Sequence, residues 1–136
     1  MHKGFLKVAL VIGALSVMFG AFGAHALKDI VSQRVTVTFE TAVRYQFYHV
    51  FALLAVAMLY KDFNRAWLRA AGYCIIAGFI LFCGSLYLLC YAQAIVSPGF
   101  KWVGPITPLG GMAFIAGWCS MLVAVLRSKS GAGAAV

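Results

Sequence analysis

Four long stretches without a charged side chain divide the sequence, and short segments that carry lysine, arginine or acidic residues separate them. A helix that crosses roughly 30 Å of hydrocarbon needs about 20 residues, so three of the stretches are long enough to span a membrane. The second is about one turn too short, and we extend it backward to residue 41. The stretches are 8–27, 45–60, 70–100 and 102–126.

This pattern predicts an all-α fold, an integral membrane four-helix bundle. Residues 1–136 form a single transmembrane domain, because no segment between the stretches is long enough to fold separately. The third helix is expected to end before Pro98 and Gly99, and the tail after the fourth helix is expected to fray. The pattern leaves open whether residues 28–40 form an interfacial helix. The predicted helices are about 5–27, 41–60, 69–94 and 105–126.

Composition supports a membrane protein: 64% of the residues are hydrophobic, 10% are charged and the mean hydropathy is +0.96. About a quarter of an average soluble chain is charged, so a soluble domain of this size could not hide so much apolar surface. Eleven lysines and arginines against three acids would suggest nucleic acid as the partner of a soluble protein. Here the basic residues lie between apolar stretches, which indicates orientation in a membrane and no nucleic-acid partner.

The basic residues also predict which way the chain crosses the membrane. With four spans, the N-terminus, the 61–69 loop and the C-terminus share one side. That side holds seven basic residues against four on the other, which places both termini in the cytoplasm. The seven are Lys3, Lys7, Lys61, Arg65, Arg69, Arg127 and Lys129, and the four are Lys28, Arg34, Arg44 and Lys101.

The first stretch ends in GAFGAHAL, residues 20–27, where Ala24, His25 and Ala26 match the small-x-small site of signal peptidase. Signal peptides have an apolar core of about 7–15 residues, and this stretch is longer. The charge pattern of the three later spans also requires a first helix that stays. We therefore expect a retained transmembrane helix rather than a cleaved peptide.

Small residues recur every three or four positions in the first and fourth helices. Membrane helices associate through the close packing that such residues permit, because lipid tails are as apolar as leucine. Glycine and alanine are also common in membrane helices generally, but the unbroken spacing favours two helix-packing seams, within one chain or between chains. The first seam comprises Ala9, Gly13, Ser16, Gly20 and Gly23, and the second comprises Gly110, Ala113, Gly117, Ser120 and Ala124.

The second helix carries the only cluster of ionisable residues, in TFETAVRYQFYHVFALL. Glu40 and Arg44 are four residues apart, so they face the same way on a helix and can form an ion pair. Ionisable residues inside a bilayer usually face protein or water. His49 lies deeper on the same helix and, by helical rise, His25 lies at a similar depth on the first helix.

Two interpretations of these polar residues remain open: a ligand pocket, or hydrogen bonds between helices that hold the bundle together. We favour the second, and expect the His25 ring to bond to His49, Gln46 or Tyr45. The fourth helix begins nearby in GPITPLGG, with Thr107 as its predicted N-cap and Pro108 as its first residue. The candidate polar pocket comprises His25, Glu40, Arg44, Gln46, His49 and Thr107, and Ser85, Tyr87 and Gln93 could complete it.

No catalytic set, metal site or cofactor is expected. The four cysteines lie inside predicted spans without a CxxC pair, so they are interpreted as packing residues. Haem held by His25 and His49 would need a porphyrin between helices whose axes lie about 8–10 Å apart, and the glycine-rich first helix favours close contact. The cysteines are Cys74, Cys83, Cys90 and Cys119.

Several motifs carry a resemblance to a known family. GAFGAHAL, FETAVRYQFYHVFALL, GSLYLL and GPITPLGGMAFIAGW occur in order between about residues 4 and 127. Together they resemble the small YgdD-type membrane proteins, a family of unknown function with four predicted spans. The resemblance implies a multi-pass protein of the plasma membrane, the bacterial inner membrane, and it implies no catalytic residue.

Three classes of function follow. The favoured one is a non-enzymatic accessory or structural membrane subunit that packs against other helices or lipid, in a larger membrane-protein complex or a homo-oligomer. The second is a binder of a quinone, haem or lipid headgroup with a polar pocket in the outer leaflet. The third is a small oligomeric transporter, with Glu40 and Arg44 lining its pore.

Overall fold

The computed structural model describes residues 1–95 and 102–128, and all regular structure in these ranges is helical. Each of the four main helices is long and apolar enough to cross a membrane, which confirms the predicted all-α fold with four spans. The helices are α1 (Lys3–His25), α2 (Gln33–Leu59), α3 (Arg65–Ala94) and α4 (Ile106–Leu126). The predictions for Pro98, Gly99, Lys101, Lys129 and the 131–136 tail concern residues outside the described ranges.

Three helix starts differ from the prediction. α3 begins at Arg65 rather than at residue 69, because the Asn64 side chain accepts hydrogen bonds from the Ala66 and Trp67 N–H groups and caps the helix there.

α2 begins at Gln33 rather than at residue 41. A helix can continue outside the membrane without apolar side chains, because its own backbone hydrogen bonds form it. Residues 33–40 therefore continue α2, and only a short 3₁₀ turn, Leu27–Asp29, lies between α1 and α2. α4 begins at Ile106 with Pro105 at the N-cap position, so Thr107 is already inside the helix and is not its cap.

Both ends of the described chain lie at the same end of the bundle. The backbone N–H of His2 donates a hydrogen bond to the Ala57 carbonyl at 2.8 Å, which ties the N-terminus to the end of α2. The Arg127 guanidinium lies over the Trp67 ring, 5.4 Å from its centroid, near the start of α3. We call this the terminal end of the bundle, and the opposite end, with the α1–α2 turn, the distal end.

The helices pack in two pairs, α1 with α2 and α3 with α4, and α2 and α3 also contact each other. Most of the core between them is apolar, with a few buried polar side chains, and large hydrophobic side chains cover the outside, as expected for a surface that faces lipid. Fully buried members of the core include Leu53, Val56, Leu68 and Ile75.

The small-residue row of α1 lies against α2. A Cβ added to Gly13 would lie 3.4 Å from the Val50 side chain, and one added to Gly23 would lie 3.0 Å from the Phe39 ring. Gly20 similarly faces Val43, while Ser16 and Ala9 are completely buried.

The small-residue row of α4 lies against α3. Its residues Gly110, Gly117, Ser120 and Ala124 are all buried, and a Cβ on Gly117 would lie 2.9 Å from the Ile75 side chain. Both rows therefore line helix contacts within this chain.

The middle of α3 is irregular. Its α-helical parts, Arg65–Gly78 and Gly84–Ala94, flank a π-helical segment, Phe79–Cys83. Gly110 of α4 packs directly on this segment: a Cβ there would lie 2.6 Å from the Leu81 carbonyl carbon and from the Phe82 Cα. The missing side chain thus allows the two backbones to touch where α3 is distorted.

Candidate functional site

His49 connects α2 to α4. Its Nδ1 lies 2.7 Å from the Tyr45 carbonyl oxygen, and the Trp118 indole Nε1–H donates to its Nε2 over 3.2 Å. Since an indole N–H can only donate, Nε2 is the acceptor and the ring proton is assigned to Nδ1, which donates to the carbonyl. The imidazole is therefore neutral, and both of its nitrogens are used in holding the helices.

Aromatic rings enclose the same histidine. The Phe114 ring stacks on the imidazole with centroids 3.5 Å apart and planes 15° apart. Tyr45 lies parallel at 6.3 Å and Phe82 contacts Phe114 at 5.7 Å. His49 is only 6% exposed as a result.

A second set of hydrogen bonds joins three helices around Gln46. The Tyr87 hydroxyl of α3 donates to Gln46 Oε1 at 2.8 Å, and Gln46 Nε2 donates to the Ile12 carbonyl of α1 at a longer 3.4 Å. The same carbonyl accepts a 2.8 Å bond from the Ser16 hydroxyl. Gln46 is 4% exposed, and both polar atoms of its amide have a hydrogen-bond partner within the protein.

Thr107 has a different role from the one predicted. The Ser85 hydroxyl donates to the Phe82 carbonyl at 3.0 Å, in the π-helical segment, and therefore accepts from the Thr107 hydroxyl at 2.7 Å. The pair links α3 to α4, and Pro105 stands at the N-cap position in its place. Among the described residues, every buried side-chain nitrogen and oxygen has a hydrogen-bond partner.

The remaining members of the candidate pocket lie on the surface. His25 is the exposed last residue of α1, and the predicted hydrogen bond from it to α2 is wrong: the nitrogens of His49 and the amide of Gln46 bond elsewhere. Glu40 and Arg44 are exposed on α2, and the described structure contains no ion pair between them. The six residues thus do not form one pocket.

Glu40 and Arg44 instead face a groove between α1 and α2 at the distal end, with a volume of about 170 Å³. Its lining is Phe19, Gly20, Gly23, Phe39, Glu40, Val43 and Arg44. We call it the α1–α2 groove. It combines two opposite charges with apolar walls, and it is separate from the buried hydrogen bonds around His49 and Gln46.

Trp118 and Phe114 were not predicted as partners of His49. A signal for Trp118 was available, since it lies in the middle of the fourth apolar stretch, away from the interfaces where membrane tryptophans concentrate. Which helix its N–H would meet depends on how the helices are arranged, which periodicity does not determine. The role of the Ile12 carbonyl as a hydrogen-bond acceptor could not be predicted from the sequence, because every residue has a backbone carbonyl.

Only some of the cysteines are placed as packing residues, the role that the sequence indicated. Cys83 and Cys90 are buried in α3, Cys74 is half-buried and Cys119 is exposed on α4. All four are free thiols. In the described part of the chain, no group of three or more histidine, cysteine or acidic residues is placed to hold a metal ion.

Comparison with known proteins gives a consistent set of matches. The family model DUF423, a protein family of unknown function, matches residues 19–111. The chain is 38% identical over 128 residues to a UPF0382 membrane protein of Staphylococcus aureus (strain bovine RF122 / ET3-1), covering 90% of this chain and 98% of that protein. It is 37% identical over 127 residues to the UPF0382 membrane protein YwdK of Bacillus subtilis (strain 168), with the same coverage. No solved structure matches the chain.

Proposed function

This chain belongs to the DUF423 family of UPF0382 membrane proteins, and we propose that it is a non-enzymatic accessory or structural subunit. One observation carries the proposal: Gln46, His49 and Ser85, three of the five buried polar side chains in the described residues, form hydrogen bonds between helices. Tyr87 and Gln46 connect α3 to α2, Trp118 and His49 connect α4 to α2, and a Ser85 hydroxyl connects α3 to α4.

Burying a polar group in hydrocarbon costs free energy. This cost explains why hydrogen bonds between the helices support a structural role for the polar side chains. Lipid offers no hydrogen-bond partner, so a polar side chain inside the membrane must find one in the protein. Interhelical bonds of this kind contribute about 0.6 kcal/mol on average and up to about 1.7 kcal/mol each. The bundle is therefore a preformed unit, and its action on other molecules takes place at its outer surface.

That outer surface belongs mainly to α1 and α4. In the most apolar window of each span, 17% of the α1 residues and 28% of the α4 residues are buried, against 50% for α2. Exposed side chains on the two outer helices include Val17 and Met18 of α1 and Met112 and Ile115 of α4. These two faces are where a partner helix would pack most readily.

We further propose that the protein crosses the bacterial inner membrane with both termini in the cytoplasm. The shared position of the two described chain ends and the excess of basic residues on their side support this orientation. The described basic residues at the terminal end include Lys3, Lys7, Lys61 and Arg65. The YgdD-type proteins, whose motifs overlap the matched region 19–111, are proposed as members of the same family.

Co-purification tests the accessory role. The full-length chain is isolated from its native membrane in mild detergent, and all proteins and chromophores that accompany it are quantified by mass spectrometry and absorbance. We expect a membrane protein at near-stoichiometric amount and no Soret band. A protein recovered only with itself, or with a stoichiometric cofactor, would contradict the proposal.

Two matched variants locate the contact. Ala14→Trp enlarges the exposed face of α1, and Ala116→Trp enlarges that of α4. Because both positions are exposed, neither change disturbs the core. One variant should lose the partner while the other retains it. Full recovery of the partner with both variants would contradict a contact through either face.

A further inference from the structure

We propose that the α1–α2 groove binds a phospholipid whose headgroup joins a phosphate to a primary ammonium. In this arrangement, the Arg44 guanidinium contacts the phosphate and the Glu40 carboxylate contacts the ammonium. The inference deepens the proposed function. It rests on that function in one respect only, namely that other molecules bind at the outer surface of the bundle. It names the class of lipid that this surface selects.

The groove carries two opposite charges close together. Glu40 and Arg44 lie one turn apart on α2, about 6 Å along the helix axis, and both line the same groove. Opposite charges at this spacing commonly pair on a helix, yet here both side chains are exposed and unpaired with each other. The groove therefore presents a positive and a negative group side by side, which matches a zwitterion.

The groove lies at the depth of a lipid headgroup. α2 has 27 residues, about 40 Å of helix, and the hydrocarbon takes up about 30 Å or 20 residues. Counting 20 residues from the terminal end of α2, where Leu59 is followed by Tyr60 and Lys61, reaches Glu40. The groove thus lies at the edge of the hydrocarbon at the distal end, where lipid phosphates and glycerol groups are found.

The walls of the groove suit an amphipathic ligand. The Phe39 ring and Val43 of α2 pack against Gly23 and Gly20 of α1, and these four residues form an apolar floor next to the two charges. A headgroup can therefore approach Glu40 and Arg44, while the hydrocarbon around the bundle receives its acyl chains. A soluble anion would gain nothing from this apolar floor.

The charges also distinguish between headgroups. A glycerol headgroup lacks the ammonium, so the negative charge of its phosphate would lie near Glu40 without a positive charge to offset it, which opposes binding. A quaternary ammonium has no N–H to donate, whereas a primary ammonium can form a charge-assisted hydrogen bond to the carboxylate. The order of binding should therefore be ethanolamine headgroup first, choline headgroup second, and glycerol headgroup last.

Native mass spectrometry of the full-length protein in detergent measures this order directly. Dioleoyl phosphatidylethanolamine, phosphatidylcholine and phosphatidylglycerol are titrated separately, and the fraction of protein carrying one lipid is recorded. We expect phosphatidylethanolamine to bind about fivefold more tightly than phosphatidylcholine, the size that an exposed charged contact supports. Glu40→Gln should abolish this preference, and Arg44→Gln should weaken binding of both lipids.

Two control variants remove the same charges elsewhere at the distal end. Asp29→Asn removes an exposed acid from the turn after α1, and Arg34→Gln removes an exposed arginine of α2 that lines a different surface depression. Both should bind lipid like the unmodified protein. Equal binding of all three lipids to the unmodified protein, or equal effects of test and control variants, would overturn the inference.

The groove could instead hold a second copy of the chain, which the same spectra would reveal. A dimer lost in Glu40→Gln and Arg44→Gln but kept in the controls would also overturn the lipid assignment. These outcomes do not depend on recovering a protein partner from the native membrane, so failure of the lipid inference and failure of the accessory role are distinguishable.

Discussion

Adding one methyl group at Gly110 should destabilise the bundle strongly. A Cβ at this position would lie 2.6 Å from the Leu81 carbonyl carbon and the Phe82 Cα, roughly 1 Å closer than carbon atoms normally pack. Both atoms belong to the backbone of the π-helical segment, so no rotamer change can relieve the clash. α4 must move away from α3, and this overpacking costs about 1–3 kcal/mol.

The neighbouring glycine provides a matched control. A Cβ at Gly111 would lie 3.8 Å from the Phe82 ring, an ordinary contact, and alanine favours a helix more than glycine does. For a chain of this size, 1 kcal/mol corresponds to a change in Tm of about 4 °C. In detergent, Gly110→Ala should lower the Tm by about 4–12 °C, whereas Gly111→Ala should leave it unchanged or slightly raised.

Thermal unfolding followed by circular dichroism or by a thiol-reactive dye measures both variants. Equal midpoints for Gly110→Ala and Gly111→Ala would refute the close backbone contact between α4 and the π-helical segment. So would a Gly110→Ala variant as stable as the unmodified protein.

Two further predictions concern histidine roles and topology. His49→Ala should lower the free energy of unfolding by about 1–3 kcal/mol, since it leaves the Trp118 N–H without a partner. His25 is exposed, so His25→Ala should change the free energy of unfolding by less than about 0.5 kcal/mol. Equal effects of the two variants in thermal unfolding would contradict these roles. In intact cells, Ser32→Cys should react with a membrane-impermeant thiol reagent and Asp62→Cys should not. The unmodified chain serves as the control for its own cysteines. The reverse labelling would contradict the proposed orientation.

The fold was largely predictable because the hydrophobic pattern reports directly on what each residue faces. A charge-free stretch of about 20 residues has few alternatives to a transmembrane helix, so four spans followed from the sequence. The start of α2 was missed because Arg34 and Glu40 interrupt the apolar pattern without interrupting the helix. Hydropathy marks where a helix enters lipid, and backbone hydrogen bonding marks where it begins.

The candidate site was predictable only as a set of residue types. Gln46 and His49 were identified as polar residues in an apolar span, and both do form hydrogen bonds between helices. Their partners could not be identified, because residues far apart in sequence meet only when the helix pairs are known. His25 was grouped with them by depth alone, and depth does not specify which face of α1 turns inward.

A double-mutant cycle on Gln46 and Tyr87 tests most directly whether buried polar side chains hold this bundle together. Gln46→Leu, Tyr87→Phe and the double variant are unfolded in detergent, with Tyr91→Phe as the control because Tyr91 is exposed on the same helix as Tyr87. A coupling energy of about 0.6–1.7 kcal/mol between Gln46 and Tyr87, and none between Gln46 and Tyr91, is the predicted result. Additive effects of Gln46→Leu and Tyr87→Phe would contradict this role of the buried polar side chains.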